Sequence, residues 1–263
     1  MRLLDFLKGN SSNVNVIDSA AINSQNFAKL QITHNWNPII GSAVYNDINM
    51  GVYRGASIWR IFTQDLSSMD TNVAFNVWNP APSANNYVHT ATDATAANES
   101  YTELDRSGLN NNPDAIISVT QLWQEVYNDN PVGVFYNNTL GRWYIYNSNF
   151  EDMPLMAQFN VYYQTPSSNA FEHRAGGVNI SGYSTYIDHP LLNGSSCAQF
   201  QITHKGISNY PYKTGVFYDS IIKQWAIFNQ GGRMMPDYAR FHVIVSAEQI
   251  AACKDLIFAD GFE

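Results

Sequence analysis

Three copies of one unit of roughly 80 residues occupy most of the chain, and this internal repeat limits the fold more than any other sequence feature. A Gly-Val-aromatic run begins at Gly51, Gly133 and Gly215, which are 82 residues apart both times. A tryptophan, a methionine ten residues later and a phenylalanine six residues after that follow each glycine, as Trp59, Met69 and Phe75; Trp143, Met153 and Phe159; Trp225, Met235 and Phe241. Spacings that persist in three copies predict three equivalent structural units.

The half of each unit before the glycine repeats as well. Asp18, Asp105 and Asp188 each precede a threonine by 15 positions, and these threonines are Thr33, Thr120 and Thr203. We therefore divide the chain into copies at 1–79, 80–164 and 165–246, followed by a tail at 247–263. The segments 87–89 and 171–173 open copies two and three. Copy one lacks a clear counterpart of them, unless residues 3–6 are that counterpart.

Each copy reads as a series of short strands. Apolar and polar residues alternate with period two, β-branched and aromatic residues are frequent, and Asn, Gly, Ser and Pro clusters separate the runs. The pattern predicts an all-β protein of three tandem β-sandwich or barrel-like repeats, each with about six antiparallel strands. The repeats could be separate domains or parts of one pseudo-threefold assembly. Residues 246–254 predict a short C-terminal helix before the final tail.

Composition excludes some partners and favours an exported protein. The chain has 14 Lys and Arg against 22 Asp and Glu, a net charge of -8, so nucleic acid is not an expected partner. Only 14 % of residues are charged, no apolar run is long enough to cross a membrane as a helix, and residues 1–8 do not form a signal peptide. Cys197 and Cys253 could form one disulfide, worth about 3 to 4 kcal/mol by loop entropy, or could stay as two thiols.

No catalytic motif is present, and we expect neither an enzyme nor a cofactor or metal. The sequence contains no His-Glu-x-x-His, Gly-x-Ser-x-Gly, phosphate-binding loop or Cys-x-x-Cys. The repeated tryptophans are interpreted as core residues rather than sugar platforms. The three repeated aspartates are interpreted as turn residues rather than calcium ligands.

Aromatic and Asn/Asp-rich loops are the best candidates for recognition, because loops on a β scaffold commonly carry function. Plain turn chemistry is the alternative interpretation of the same residues. The predicted ligand-binding residues are Trp36, Asn46 and Asp47 in copy one, Trp123, Asn128 and Asp129 in copy two, and Asn209 and Tyr210 in copy three. Copy three has Lys205 and Gly206 where copy one has Asn35 and Trp36, which puts its site in doubt.

Several blocks resemble an uncharacterised domain that occurs in tandem in bacterial secreted proteins. They are the Thr-His-Asn-Trp-Asn-Pro run at 33–38, the segment 127–136 with its Gly-Val-Phe-Tyr, the Trp-Ala-Ile-Phe-Asn-Gln run at 225–230, Met235-Pro236 and 241–243. The resemblance extends to about residue 246 and brings no activity with it. Residues 257–263 look like the tails of gammaproteobacterial exported proteins, which implies an extracellular or envelope location.

Three hypotheses follow. The first is a secreted or cell-surface adhesion protein, without catalytic activity, whose related sites bind glycans or surface polymers with avidity. The second is a structural protein that assembles with copies of itself through β-strand edges into fibres or layers. The third, a hydrolase with a site between copies, has the least support.

Overall fold

The computed structural model describes residues 13–36, 38, 43–96, 99–206 and 208–246, and over these ranges the protein is almost entirely β. The all-β class and the tandem repeats are confirmed. The predicted C-terminal helix and tail lie outside the described residues, apart from Ser246. Neither short helix in the described part of the chain has the length and hydrophobicity needed to cross a membrane.

Copy one has five described strands and a one-turn helix: β1 (Val14–Val16), α1 (Ala20–Asn23), β2 (Gln31–Asn35), β3 (Met50–Arg54), β4 (Trp59–Thr63) and β5 (Phe75–Trp78). Copy two contains β6 (Asn86–Thr90), α2 (Asp93–Ala96), β7 (Tyr101–Leu104), β8 (Ile116–Leu122), β9 (Val132–Asn137), β10 (Arg142–Asn147) and β11 (Gln158–Gln164). Copy three contains β12 (Ala170–Arg174), β13 (Ile180–Ser181), β14 (Ser184–Ile187), β15 (Phe200–Lys205), β16 (Thr214–Asp219), β17 (Gln224–Asn229) and β18 (Arg240–Val245).

The strands form three six-stranded sheets, and every sheet is shared by two copies. The orders are β1-β4-β3-β8-β11-β6, β12-β18-β15-β9-β10-β7 and β13-β14-β17-β16-β2-β5. Copies one and two share the first sheet, copies two and three the second, and copies three and one the third. The three units are therefore parts of one closed pseudo-threefold ring rather than separate domains.

Each copy nevertheless has its own hydrophobic core, which lies between its two half-sheets. Trp59, Trp143 and Trp225 are at most 3 % exposed, and the repeated methionines and phenylalanines are buried with them. Each indole Nε1 donates to a backbone oxygen of its own copy: Gln25 at 2.9 Å, Asn112 at 2.8 Å and Ser195 at 2.8 Å. Their interpretation as core residues is confirmed.

Parallel strand pairs join the copies, whereas every other pairing is antiparallel in the described strands. The parallel pairs are β3 with β8, β9 with β15 and β16 with β2. In each pair the repeated glycine lies opposite the next copy, as Gly133 does opposite His204. A Cβ on Gly133 would lie 3.0 Å from the His204 carbonyl oxygen and 2.9 Å from its Nδ1, so a side chain there would push the copies apart.

A buried polar network fills the axis of the ring. The hydroxyl Oγ1 of Thr120 accepts the Ile32 N–H at 3.0 Å, that of Thr203 accepts the Val119 N–H at 3.1 Å, and that of Thr33 accepts the Ile202 N–H at 3.1 Å. Each bond joins a different pair of copies, so the three bonds close a cycle.

A second cycle surrounds the first and starts from the residue after each repeated phenylalanine. Asn160 Nδ2 donates to the Leu30 oxygen and Asn76 Nδ2 to the Phe200 oxygen, both at 3.1 Å. His242 Nδ1 accepts the N–H of Ile117, which is the third equivalent backbone position, at 3.0 Å. Because buried polar groups need partners, these side chains fix how the copies meet.

Five histidines are buried or half-buried, three of them (His34, His204 and His242) at the interfaces between copies. Burial lowers the pKa of His34, His204 and His242 to about 3, and that of His89 and His173 to about 4. All five are therefore neutral in the folded protein near pH 7.

We expect Thr120→Val to lower the free energy of unfolding by about 1 to 3 kcal/mol, because it leaves the partly buried Ile32 N–H without its acceptor. Thr33→Val and Thr203→Val should have similar effects, since each breaks an equivalent bond. Urea unfolding followed by tryptophan fluorescence measures this, with Thr139→Val, on an exposed hairpin loop, as the control. Equal stability of Thr120→Val and the control would contradict the role of the axial hydroxyls.

The histidines predict acid unfolding. Their folded pKa values lie below the unfolded value of about 6.5, so the unfolded state binds more protons, and stability falls as the pH drops from about 6.5 towards 4. A histidine with a folded pKa of about 3 lowers the free energy of unfolding at pH 4 by roughly 3 kcal/mol relative to neutral pH. Urea midpoints measured from pH 7 to pH 4 should fall steadily.

His34→Gln provides the matched test of the acid effect. Gln121 occupies the equivalent position in copy two, where its Oε1 accepts from Gln64 Nε2 at 3.1 Å, just as His34 Nδ1 faces Gln230 Nε2 at 2.6 Å. The variant should keep the contact and lose one proton from the pH dependence, a slope smaller by about 1.4 kcal/mol per pH unit. An unchanged slope would show that His34 does not titrate on unfolding.

Candidate functional site

The predicted binding loops lie where two copies meet. Each loop connects the axial strand of its copy (β2, β8 or β15) with the following hairpin, and a backbone N–H fastens it to the preceding copy. Asn46 N–H donates to Gln230 Oε1 at 3.0 Å, Asn128 N–H to Gln64 Oε1 at 3.4 Å, and Tyr210 N–H to the Ser148 carbonyl oxygen at 2.8 Å. A hydrogen bond to the preceding copy therefore fixes the position of each loop.

Within these loops, the side chains divide into buried and exposed positions. Asn46, Asn128 and Tyr210 are at most 3 % exposed, and Tyr210 is hydrogen bonded within its own copy. Their burial at equivalent positions supports a structural role, in agreement with the alternative interpretation of these residues as turn residues. Asp47, Asp129 and Asn209 are exposed and remain within reach of a ligand.

Trp36 and Trp123 bring the loops into contact with the sheets. Each is half-buried and packs against the tyrosine of its own loop with nearly identical geometry. The Trp36 and Tyr45 ring centroids are 5.8 Å apart at an interplanar angle of 42°, and those of Trp123 and Tyr127 are 5.8 Å apart at 43°. Tyr45 and Tyr127 are 46 % and 42 % exposed.

The preceding copy completes each cluster with an aromatic residue from the strand next to the tryptophan. Phe217 on β16 meets Trp36 edge to face at 6.1 Å, and Tyr53 on β3 meets Trp123 in the same way at 5.6 Å. Both lie on the strand face opposite to the core residue beside them. We call these clusters aromatic face one (Trp36, Tyr45, Phe217) and aromatic face two (Trp123, Tyr127, Tyr53).

At the third interface, between copies two and three, this arrangement is lost. Gly206 and Asn209 stand where the other copies have the tryptophan and the tyrosine. Beside them, Lys205 pairs with Glu172, and Arg240 Nη1 lies 3.8 Å from the same carboxylate. The predicted recognition loop of copy three therefore lacks the pair of rings that the other two loops present.

Aromatic face one also includes a tyrosine whose hydroxyl is hydrogen bonded to that of a second tyrosine. The hydroxyls of Tyr45 and Tyr183 are 3.4 Å apart, and this hydrogen bond, aided by burial, raises the pKa of Tyr45 to about 12. Tyr45 is therefore uncharged at neutral pH and can both donate and accept hydrogen bonds. The face combines apolar rings with neutral polar groups at its rim.

Sequence reasoning selected the tryptophans but omitted their partners. Tyr45 and Tyr127 directly precede the predicted Asn46 and Asn128 but are not among the predicted site residues, and Phe217 and Tyr53 belong to other copies. The signal for the tyrosines was available, because they are 82 residues apart and the equivalent position in copy three is Asn209. No signal identified the partners from the neighbouring copy, because that contact depends on the shared sheets.

The other predicted groups do not form a chemical site. Asp105 Oδ1 accepts from Asn110 Nδ2 and Asp188 Oδ1 from Asn193 Nδ2, both at 2.7 Å and five residues apart, which is turn chemistry. Among residues 13–36, 38, 43–96, 99–206 and 208–246, no three His, Cys, Asp or Glu side chains are grouped as a metal site requires. Cys197 packs against the core of copy three, Cys253 lies outside the described residues, and their disulfide stays a prediction.

Comparison with known proteins places the chain in a family without assigning an activity. No curated protein and no solved structure matches it. One family profile, described as a domain of unknown function (DUF7452), matches residues 7–79, 54–140 and 133–245. Because these three matches together extend over most of the chain, the protein belongs to the DUF7452 family.

Proposed function

We propose that this protein is a secreted or cell-surface adhesion protein, without catalytic activity, that binds glycans or another surface polymer through aromatic faces one and two. The observation that carries the proposal is the Trp–Tyr pair, which recurs in two copies with the same distance and angle although neither pair belongs to a hydrophobic core. Partly exposed, rigidly packed tryptophan and tyrosine rings offer a large contact area at a small entropic cost.

The surroundings of the faces suit a neutral polar ligand. Aromatic rings can lie against the apolar faces of pyranoses, and the tyrosine hydroxyls, Asp47 and Asp129 can bind sugar hydroxyl groups at the rim. Asp129 is already oriented, because its Oδ1 accepts from Asn49 Nδ2 at 3.0 Å. Two linked faces on one rigid ring would bind a repeating polymer with avidity even if each face bound weakly.

A catalytic function has less support. The described histidines with the lowest pKa values are buried and hydrogen bonded inside the ring, so they are poorly placed to act as a general base for a ligand on either face. The small share of charged residues and the resemblance to bacterial secreted domains favour an exported protein.

The faces predict a valency of two rather than three. Affinity gel electrophoresis against neutral polysaccharides (laminarin, xylan, dextran and galactomannan) should show wild-type retardation by at least one of them. Trp36→Ala and Trp123→Ala should each weaken it about tenfold or more, because avidity is lost, and the double variant should migrate freely. Tyr238→Ala, an exposed aromatic outside both faces, is the control. Unchanged retardation of the double variant would exclude the two faces as the binding site.

A second candidate function, self-assembly through strand edges, is favoured by one edge of the third sheet. In copies two and three, β11 and β18 each pair with the first strand of their own copy, which is β6 or β12. Their counterpart β5 pairs only with β2 among the described strands, so its outer edge is open there to another strand.

Assembly through this edge predicts oligomers that grow with concentration. Light scattering and negative-stain microscopy from about 1 to 100 μM should then show filaments or layers. Val77→Pro, on β5, should suppress them, because proline removes a backbone donor from the strand. A monomer at every concentration would exclude assembly by the purified chain and leave the binding proposal untouched.

A further inference from the structure

A surface groove of about 500 Å³ lies beside aromatic face one, at the boundary between copies one and three. Copy one contributes Asp47, which follows Tyr45 of the face by two residues. Copy three contributes the other described lining residues, among them Lys213, Gly231 and Arg233. The volume lies within the range of about 300 to 1,000 Å³ that is usual for small-molecule sites, so the groove has room for one sugar residue.

The groove adjoins the rings of face one directly. Tyr45 packs edge to face against Phe228 on β17, with ring centroids 5.9 Å apart, and Gly231 follows the end of β17 by two residues. A Cβ on Gly231 would lie 2.7 Å from Asp47 Oδ2, so the loop of copy one and the turn after β17 are in close contact. A glycan chain that lies across the rings can therefore place its next residue in the groove.

Lys213 and Arg233 give the groove a positive charge. Neither side chain forms an ion pair within the described part of the chain. Lys213 is half-buried and Arg233 is exposed, and both charged groups remain accessible to solvent. Two cations against the single carboxylate of Asp47 make the groove locally cationic, although the net charge of the chain is -8.

Face two has an amide at the position of Lys213. Lys213 precedes Gly215 by two residues, and Asn49 precedes Gly51 by the same distance. Asn49 Nδ2 donates to Oδ1 of Asp129, the counterpart of the groove's carboxylate, at 3.0 Å. The equivalent positions therefore also meet at face two, but an ammonium group is present only at face one.

The turn that follows the hairpin differs in the same direction. Two residues before the repeated methionine, copy three has Arg233, copy one has Ser67 and copy two has Glu151. At the position of Gly231, copy one has Asp65. Among these equivalent positions, cations occur only at face one, so its ligand should differ in charge from that of face two.

We propose that aromatic face one binds an acidic glycan, with a neutral sugar on its rings and the carboxylate of an adjoining uronic acid residue in the groove lined by Lys213 and Arg233. A guanidinium group can bind a carboxylate through two parallel N–H groups, and the ammonium group adds a point charge. This inference rests on the proposed function, because it names the class of glycan that face one selects. Face two, which lacks these cations, selects neutral sugars.

Matched polysaccharides test the proposal on the whole protein. Biolayer interferometry would compare glucuronoxylan, polygalacturonate and alginate with the same polymers after reduction of their carboxyl groups to alcohols. We expect at least one acidic polymer to bind about fivefold or more tightly than its reduced form at about 10 mM salt, and the difference to disappear at about 1 M salt, because salt screens exposed charges. The net charge of -8 repels acidic polymers in general, so tighter binding requires a local cationic site. Equal affinity of the two forms at low salt would overturn the proposal.

Two substitutions locate the effect of charge. Lys213→Asn and Arg233→Ser introduce the residues of face two, and the double variant should bind the acidic polymer no more tightly than the reduced one. Lys223→Asn removes one charge from the exposed tip of the β16–β17 hairpin, at a positive φ that asparagine tolerates, and should keep the preference. Circular dichroism confirms that each variant is folded. A preference that survives in the double variant would place the carboxylate elsewhere and overturn the proposal.

Trp36→Ala distinguishes failure of this inference from failure of the proposed function. If Trp36→Ala weakens binding of the reduced polymers and wild type shows no preference for the acidic forms, face one binds glycans and the charged groove is wrong. If wild type prefers the acidic form and Trp36→Ala leaves that binding unchanged, the groove binds independently of the rings, and the assignment of an acidic glycan to face one is overturned.

Discussion

The structure depends on the parallel pairing of three pairs of strands, because among the described strands only these pairs join one copy to the next within a sheet. Each pairing is short, with two residue pairs in register, so it cannot hold the ring by backbone hydrogen bonds alone. The glycines let the strands approach, and the side chains around them, such as Gln64 with Gln121 and Gln230 with His34, bond across the same boundary. Closure of the ring therefore requires both a close approach of the strands and hydrogen bonds between side chains of adjacent copies.

Closure of the ring also explains why its axis is polar although few residues of the chain are charged. The hydroxyls of Thr33, Thr120 and Thr203 each accept a hydrogen bond from a backbone N–H of another copy, and these bonds form only because the three copies meet at the axis. Neutral hydroxyl and amide groups suit this position, because a buried charge would need a buried partner. The cores give each copy its stability, and the axis determines their arrangement.

Much of the fold could be predicted from the sequence, and the limit has a physical cause. The repeat, the β class and the buried tryptophans follow from local periodicity and fixed spacing, which report what happens within one copy. The alternation along β8 shows that Ile117 and Val119 face a core, but it cannot show whether Ser118 and Thr120 face solvent or another copy. The sequence therefore identifies Thr120 as a repeated residue and does not identify its contact with another copy.

The candidate sites show the same limit more sharply, because each aromatic face combines residues of two copies. A search for what the copies share selects Asn46, Asn128 and Tyr210, whose backbone N–H groups make the equivalent bonds that hold the ring. What distinguishes the copies lies elsewhere: Gly206 and Asn209 replace the tryptophan and the tyrosine of the other copies, which removes one aromatic face. In a closed ring of repeats, the shared positions are needed to maintain closure, so specialised recognition can develop only at positions where a departure leaves closure intact. The candidate recognition residues of this chain are therefore surface residues that two copies share and the third lacks, as Gly206 and Asn209 show.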